Sequence, residues 1–263
     1  MLSRRVEKAI AAYRRKDISE ARKVHEKKII EESIHADKGG KYIGDLVYGG
    51  IDGIVTTFAV VSGVAGASLS SSIVLILGFA NLFADGLSMA VGNYLGSKSE
   101  AEYHEQERKR EEWEIENVPE GEIEEIRQIF SKKGFKGKDL ERATEIITSN
   151  KKVWVETMMV DELGLTKSET SPIKSGAATF LAFVVAGFFP LFSYVLSYFV
   201  PFFKENAFVI TIILTGVALF LLGSARVYIT GKKWWIAGFE ILFVGGIAAV
   251  VAYFIGFLLQ GLA

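Results

Sequence analysis

Two groups of acidic side chains in this sequence have the spacing to do chemistry. The first lies in apolar surroundings: Asp45 and Asp52 stand on one helical face at the entrance of "DLVYGGIDGIVTTFAVVSGV", residues 45 to 64, and Thr56 extends that face. Farther on, Asn81, Asp85, Ser88, Met89 and Asn93 recur at intervals of three and four residues and form a second polar stripe. The other group lies in polar surroundings. From Glu100 to Glu125 there are twelve glutamates against three basic residues, Arg108, Lys109 and Arg110. Glu111 and Glu114 are three apart, as are Glu122 and Glu125, so each pair shares a helix face, and "WVETMMVDELGL" adds Met158, Met159 and Glu162. Carboxylates beside thioethers suit a borderline divalent ion such as Fe2+ better than Mg2+ or Ca2+, which take oxygen ligands throughout. A plain solvated acidic helix is the usual explanation of such a run, and at this point it stands beside metal binding as an open reading.

The elements that must position these groups follow from where charge is missing. Residues 53 to 84 and 175 to 203 carry no charged side chain, and each stretch exceeds the roughly 20 residues that cross a ~30 Å hydrocarbon core. The pattern predicts an all-α, polytopic membrane protein with five transmembrane helices. The first two, about 43 to 66 and 72 to 97, meet at the turn "SGVAGASLSSS", and the others cover about 173 to 200, 206 to 228 and 234 to 260. Four segments result: a basic helical stretch over 1–41, helices 1 and 2 over 42–97, an acidic helical domain inserted over 98–172, and helices 3 to 5 over 173–263. Lys and Arg flank the membrane at the N-terminal stretch, the inserted domain and "RVYITGKK", which puts these on the cytosolic side and the C-terminus outside. Trp234 and Trp235 fit interfacial anchors.

At ~1.5 Å per residue a helix beginning near Tyr42 carries Asp52 about 15 Å inward, close to the midplane. A carboxylate there costs several kcal/mol unless it faces a cavity, is paired or is protonated, which marks Asp52 and Asp85 as functional candidates. Asp45 lies nearer the boundary and admits a second reading as an interfacial N-cap. Glu240, with Lys232 and Lys233 two to three turns away, leaves pairing, gating and transport open. Gly49-x-x-x-Gly53 and Gly92-x-x-x-Gly96 are small-residue patterns that let membrane helices approach closely.

The chain has no cysteine and three histidines, His25, His35 and His104, so thiolate sites are excluded and imidazole chemistry is scarce. One Glu-x-x-His occurs, Glu32 to His35, where a di-iron bundle needs two with further glutamates. The basic start "MLSRRVEKAIAAYRRKD" has too short an apolar stretch for a signal peptide and reads as cytosolic, with Val6, Ile10 and Tyr13 in amphipathic spacing. No nucleophile motif, phosphate loop or dinucleotide fingerprint points to a soluble enzyme, and nothing points to a nucleic-acid partner.

The stretches "DLVYGGIDGIVTTFAVVSGVAGAS", "LSMAVGNYLGSKSEAEYHEQERKREEWEIENVP" and "MMVDELGL" resemble the vacuolar iron transporter family over about residues 42 to 260, leaving the first 40 outside the resemblance. The resemblance implies a homodimer with a pore at its interface, exporting cytosolic Fe2+, or Mn2+, in exchange for protons, with no permanently bound cofactor. It implies pore roles for Asp45, Asp52 and Met89, and cytosolic metal-binding roles for Glu111, Glu114, Glu122, Glu125, Met158, Met159 and Glu162. At one position the chain departs: plant members carry a glutamate where Asn81 stands, with Asp85 one turn later. Transfer of that role to Asp85, a preference for Mn2+ and looser proton coupling all stay open. A plasma-membrane location is expected, or a vacuolar membrane in a vacuolated host. Two rivals remain: a membrane-anchored, ferritin-like iron oxidase using Glu32, His35 and the glutamate cluster, and a passive cation channel.

Overall fold

The computed structural model describes residues 4–23, 41–226 and 233–262, and every regular element among them is helical. The N-terminal stretch is broken into two helices, α1 (Arg4–Arg15) and α2 (Ile18–Lys23). Lys16 takes a positive φ of 57°, and Asp17 then caps α2 by accepting from the backbone N–H groups of Ser19 and Glu20. Glu32 and His35 lie outside the described residues.

The chain divides into two compact units, Met1–Tyr94 with Ile173–Ala263, and Leu95–Pro172. In the first, α3 (Ile43–Gly66) ends where Ser68 adopts a φ of 56°, a turn that hands the chain to α4 (Ser71–Asn117). At 47 residues α4 has more than twice the residues a bilayer crossing needs, and its apolar first half carries the candidate span. After the inserted unit come α8 (Pro172–Gly187), α9 (Phe189–Leu196), α10 (Pro201–Ala225) and α11 (Trp234–Leu259). Four helices, α3, α4, α10 and α11, are each long and apolar enough to cross a membrane. A fifth crossing needs α8 and α9 together, and these are bent by 43° at their junction.

The single segment expected over 173 to 200 is therefore divided into two helices that meet at a bend. Pro190, in the first turn of α9, has no N–H to continue the helix of α8. Its carbonyl accepts from Thr211 Oγ1 on α10 at 3.1 Å, and Ser193 Oγ donates to the Ala207 carbonyl at 2.9 Å. The bend is thus sealed by hydroxyls that are themselves fully buried.

Side chains are sorted as a bilayer demands. Val209, Ile213, Val217 and Leu221 form an exposed apolar stripe along α10, while Thr211, Thr215 and Gly223 face inward. Small residues set the helix spacing. A β-carbon on Gly53 would stand 2.3 Å from the Phe183 carbonyl oxygen of α8, and one on Gly256 of α11 would stand 2.0 Å from that of Gly63. Gly49 likewise meets Thr179, so the first small-residue pattern works within the protomer, whereas Gly92 and Gly96 have open space around them.

The second unit continues α4 into α5 (Pro119–Lys132), α6 (Gly137–Thr148) and α7 (Lys151–Thr157). Pro119 fits the first turn of α5, where its missing N–H is no loss. Asn150 caps α7, its side chain accepting from Lys152 and Val153 N–H, and α7 runs on as a π-helical turn, Met158–Glu162. Ile115, Ile126, Trp154, Val155, Met158 and Met159 form the core of this unit.

Candidate metal and translocation sites

In the membrane unit, Asp45 lies in the first turn of α3, while the N-cap position is Tyr42 and makes no side-chain cap. The N-cap reading of Asp45 is therefore wrong. Its carboxylate instead faces two other helices: Oδ1 accepts from Asn93 Nδ2 at 2.9 Å and Oδ2 accepts from Ser175 Oγ at 2.6 Å. Asn93 also reaches Thr179 Oγ1 at 2.6 Å. Asp45 thus joins α3 to α4 and α8 through neutral donors. Ser175 and Thr179, one turn apart on α8, escaped the sequence reading, although a polar i, i+4 pair in an uncharged span is a visible signal.

Asp52 and Asp85 are half-buried and close enough for their charges to interact, so the two polar stripes do come together at this level. Between them the stripes hold two further groups: Asn81, whose Nδ2 is buried with no hydrogen-bond partner, and Met89, which packs on the core around Leu82 and Phe183. Thr56, one turn after Asp52, donates its hydroxyl to the Asp52 carbonyl at 2.8 Å. Glu240 pairs with Arg226 of α10, whose Nη2 lies 2.9 Å from Oε2. This partner, 14 residues upstream, is an arginine at the end of α10; Lys232 lies outside the described residues.

In the inserted unit, Glu111, Glu114 and Glu122 converge, each offering an oxygen within 4.8 Å of the others'. Glu111 is 1% exposed and Glu122 6%, and Oε2 of each is buried without a hydrogen-bond partner. Burial, then the Glu162 charge, pushes the Glu111 carboxyl up to about 7; Arg110 opposes this. Glu122 is also pushed up to about 7, by burial first and then by Glu111 and Glu125. Burial and Glu125 raise Glu162 as well. Glu125 and Glu162 are thus within electrostatic reach, though both are solvent-exposed. Met158 and Met159 are buried among Ile126, Trp154 and Val155, and their immediate role is packing. The donor set fits a single divalent cation: three carboxylates at chelating separation, two of them with unsatisfied oxygens.

Fold and site together define an all-helical, polytopic integral membrane protein that holds carboxylates both among its membrane helices and in a separate helical unit. The chain belongs to the VIT family, whose profile matches residues 43–257. It is similar to the vacuolar iron transporter of Toxoplasma gondii, at 37% identity over 98% of this chain and 89% of the relative. Vacuolar iron transporter 1 of Arabidopsis thaliana is 36% identical over 83% of this chain and 88% of its own length. For the vacuolar iron transporter of Plasmodium falciparum the identity is 33%, over 99% of this chain and 98% of the relative. Alignments of 98% and 99% leave no room for the first 40 residues outside, so likeness to these two relatives extends through the N-terminal stretch.

Proposed function

We propose that this protein transports a divalent transition metal, Fe2+ or Mn2+, out of the cytosol in exchange for protons. The observation that carries the reading is the Glu111–Glu114–Glu122 cluster, where two buried carboxylates each leave an oxygen unpaired. Such groups release protons as a cation arrives, so loading this cluster is itself an exchange of proton for metal. The inserted unit would sit on the cytosolic side, as its basic flanks suggest, and collect the ion there. Glu125 and Glu162 complete the acidic field, and the thioethers of Met158 and Met159 would favour a borderline ion if the π-helical turn opens.

Transfer through the bilayer is assigned to Asp45, Asp52, Asn81, Asp85 and Met89, along a pore at the interface of two copies. Asp85 takes the acidic role in α4 that Asn81 cannot fill, because it shares the level of Asp52. Two carboxylates at one level accept a dehydrated dication or protons alternately, so that charge is exchanged rather than stranded in low dielectric. Glu240, already paired with Arg226, serves the α10–α11 packing.

The test is Fe2+ uptake into proteoliposomes with and without an acidic interior. Native protein is expected to load iron faster into acidic vesicles, and Asp52→Asn to abolish loading. Uptake indifferent to the pH gradient but dependent on Asp52 would instead identify a passive channel, and uptake indifferent to both would remove the pore assignment.

A further inference from the structure

Arg110 sits one residue from the buried Glu111, is itself well exposed, and contacts three carboxylates of its own helix. Nη2 lies 3.0 Å from Glu107 Oε2 and 2.9 Å from Glu111 Oε1, while Nη1 lies 3.0 Å from Glu114 Oε2. Nε also donates to Glu107 Oε2 at 3.0 Å. The guanidinium therefore takes up one oxygen of Glu111 and one of Glu114. The other Glu111 oxygen, Oε2, is the buried one without a partner.

We infer that Arg110 is a positioning residue of the glutamate site: its planar fork turns one oxygen of Glu111 and one of Glu114 outward so that the remaining oxygens converge with Glu122 on a divalent ion. This rests on the metal-binding reading of the cluster. Two physical arguments favour the assignment. A guanidinium offers several donors in fixed directions, so it can hold two carboxylates one turn apart in a set relation, which a single ammonium cannot do. Groups that orient metal-ligating carboxylates from outside commonly contribute one to two orders of magnitude to affinity, roughly 10–100-fold. The adjacent Lys109, by contrast, is 71% exposed and among the described residues pairs only with Glu105, at 3.6 Å, so the same charge one residue away lacks this geometry.

The experiment is Mn2+ titration of the full chain in detergent by calorimetry, with thermal unfolding of the metal-free protein alongside. Arg110→Gln is expected to weaken Mn2+ binding by roughly 10–100-fold, Arg110→Lys by a smaller but measurable factor, and Lys109→Gln not at all. Native affinity or tighter binding in Arg110→Gln overturns the inference, as does a loss of thermal stability with unchanged affinity, which is the mark of a merely structural arginine. Should Arg110→Gln not be recovered folded, Arg110→Lys decides alone, and native affinity there refutes the fork. Failure of the underlying reading looks different: native protein without Mn2+ binding, or Glu122→Gln binding as native does, removes the metal site whatever Arg110 does.

Discussion

The two acidic regions of this molecule solve the same problem in opposite ways. Asp45 is surrounded by neutral donors, the Asn93 amide and the Ser175 hydroxyl, and each of its oxygens is satisfied. Glu111 is surrounded by charge, with an arginine on one oxygen and acidic neighbours around the other. The first arrangement fixes a carboxylate in place through hydrogen bonds while its charge is left for a passing cation or a proton to balance. The second leaves a standing demand that a metal or a proton must meet. The contrast teaches that charge count alone does not identify an ion site; the informative quantity is which oxygens remain unsatisfied after the protein has used its own donors.

The comparison can be broken or sharpened at several points. The largest effect is expected at the cluster: Glu111→Gln with Glu122→Gln should lower Mn2+ affinity, measured by calorimetry, by more than the roughly 10–100-fold typical of losing an orienting partner. Next comes Ser175→Ala, which leaves Asp45 Oδ2 without its donor and should cost about 1–3 kcal/mol in thermal or denaturant unfolding of the membrane unit. Mn2+ binding should leave that variant's cluster unchanged. A pH series separates the regions further. Glu111 and Glu122 are raised from an ordinary 4.5 to about 7, so the folded metal-free unit holds more protons than the unfolded chain between those values. The contribution of these two groups to stability is therefore full below about pH 4.5 and is lost as the pH rises through about 7, while metal affinity rises over the same window. Differential scanning with and without Mn2+ from pH 4.5 to 8 should show the two trends crossing; parallel trends would contradict the assignment. The smallest effect belongs to the exposed Arg142–Glu145 pair, where Arg142→Ala should change stability by no more than about 0.5 kcal/mol.

Much of the fold is legible in the sequence because membrane spans are written in long absences of charge, as in 53 to 84. The bend between α8 and α9 was written too, in Pro190, yet hydropathy averages over a proline and reads one span. The site was legible to the extent that its members are close in sequence. Glu111 and Glu114 announce their shared face by spacing, and Asp45 and Asp52 by their apolar setting. What periodicity cannot supply is the tertiary partner: Ser175 is 130 residues from Asp45, and Arg226 is 14 residues from Glu240. Arg110 was overlooked for another reason, since an arginine among twelve glutamates reads as a counter-charge and only its geometry distinguishes it from Lys109.

The π-helical turn at Met158–Glu162 carries a consequence for inheritance. Such a turn is an α-helix that has gained one residue. Loss of a single codon within it would restore ordinary helical register and tighten the backbone, so the allele would fold well. Glu162 would keep nearly its present bearing relative to Met158, because the turn loses one residue and one residue's worth of rotation together. What the deletion removes is the widened backbone beside the two methionines, so an ion-binding screen of that allele reads the worth of the turn itself, apart from the direction of the carboxylate.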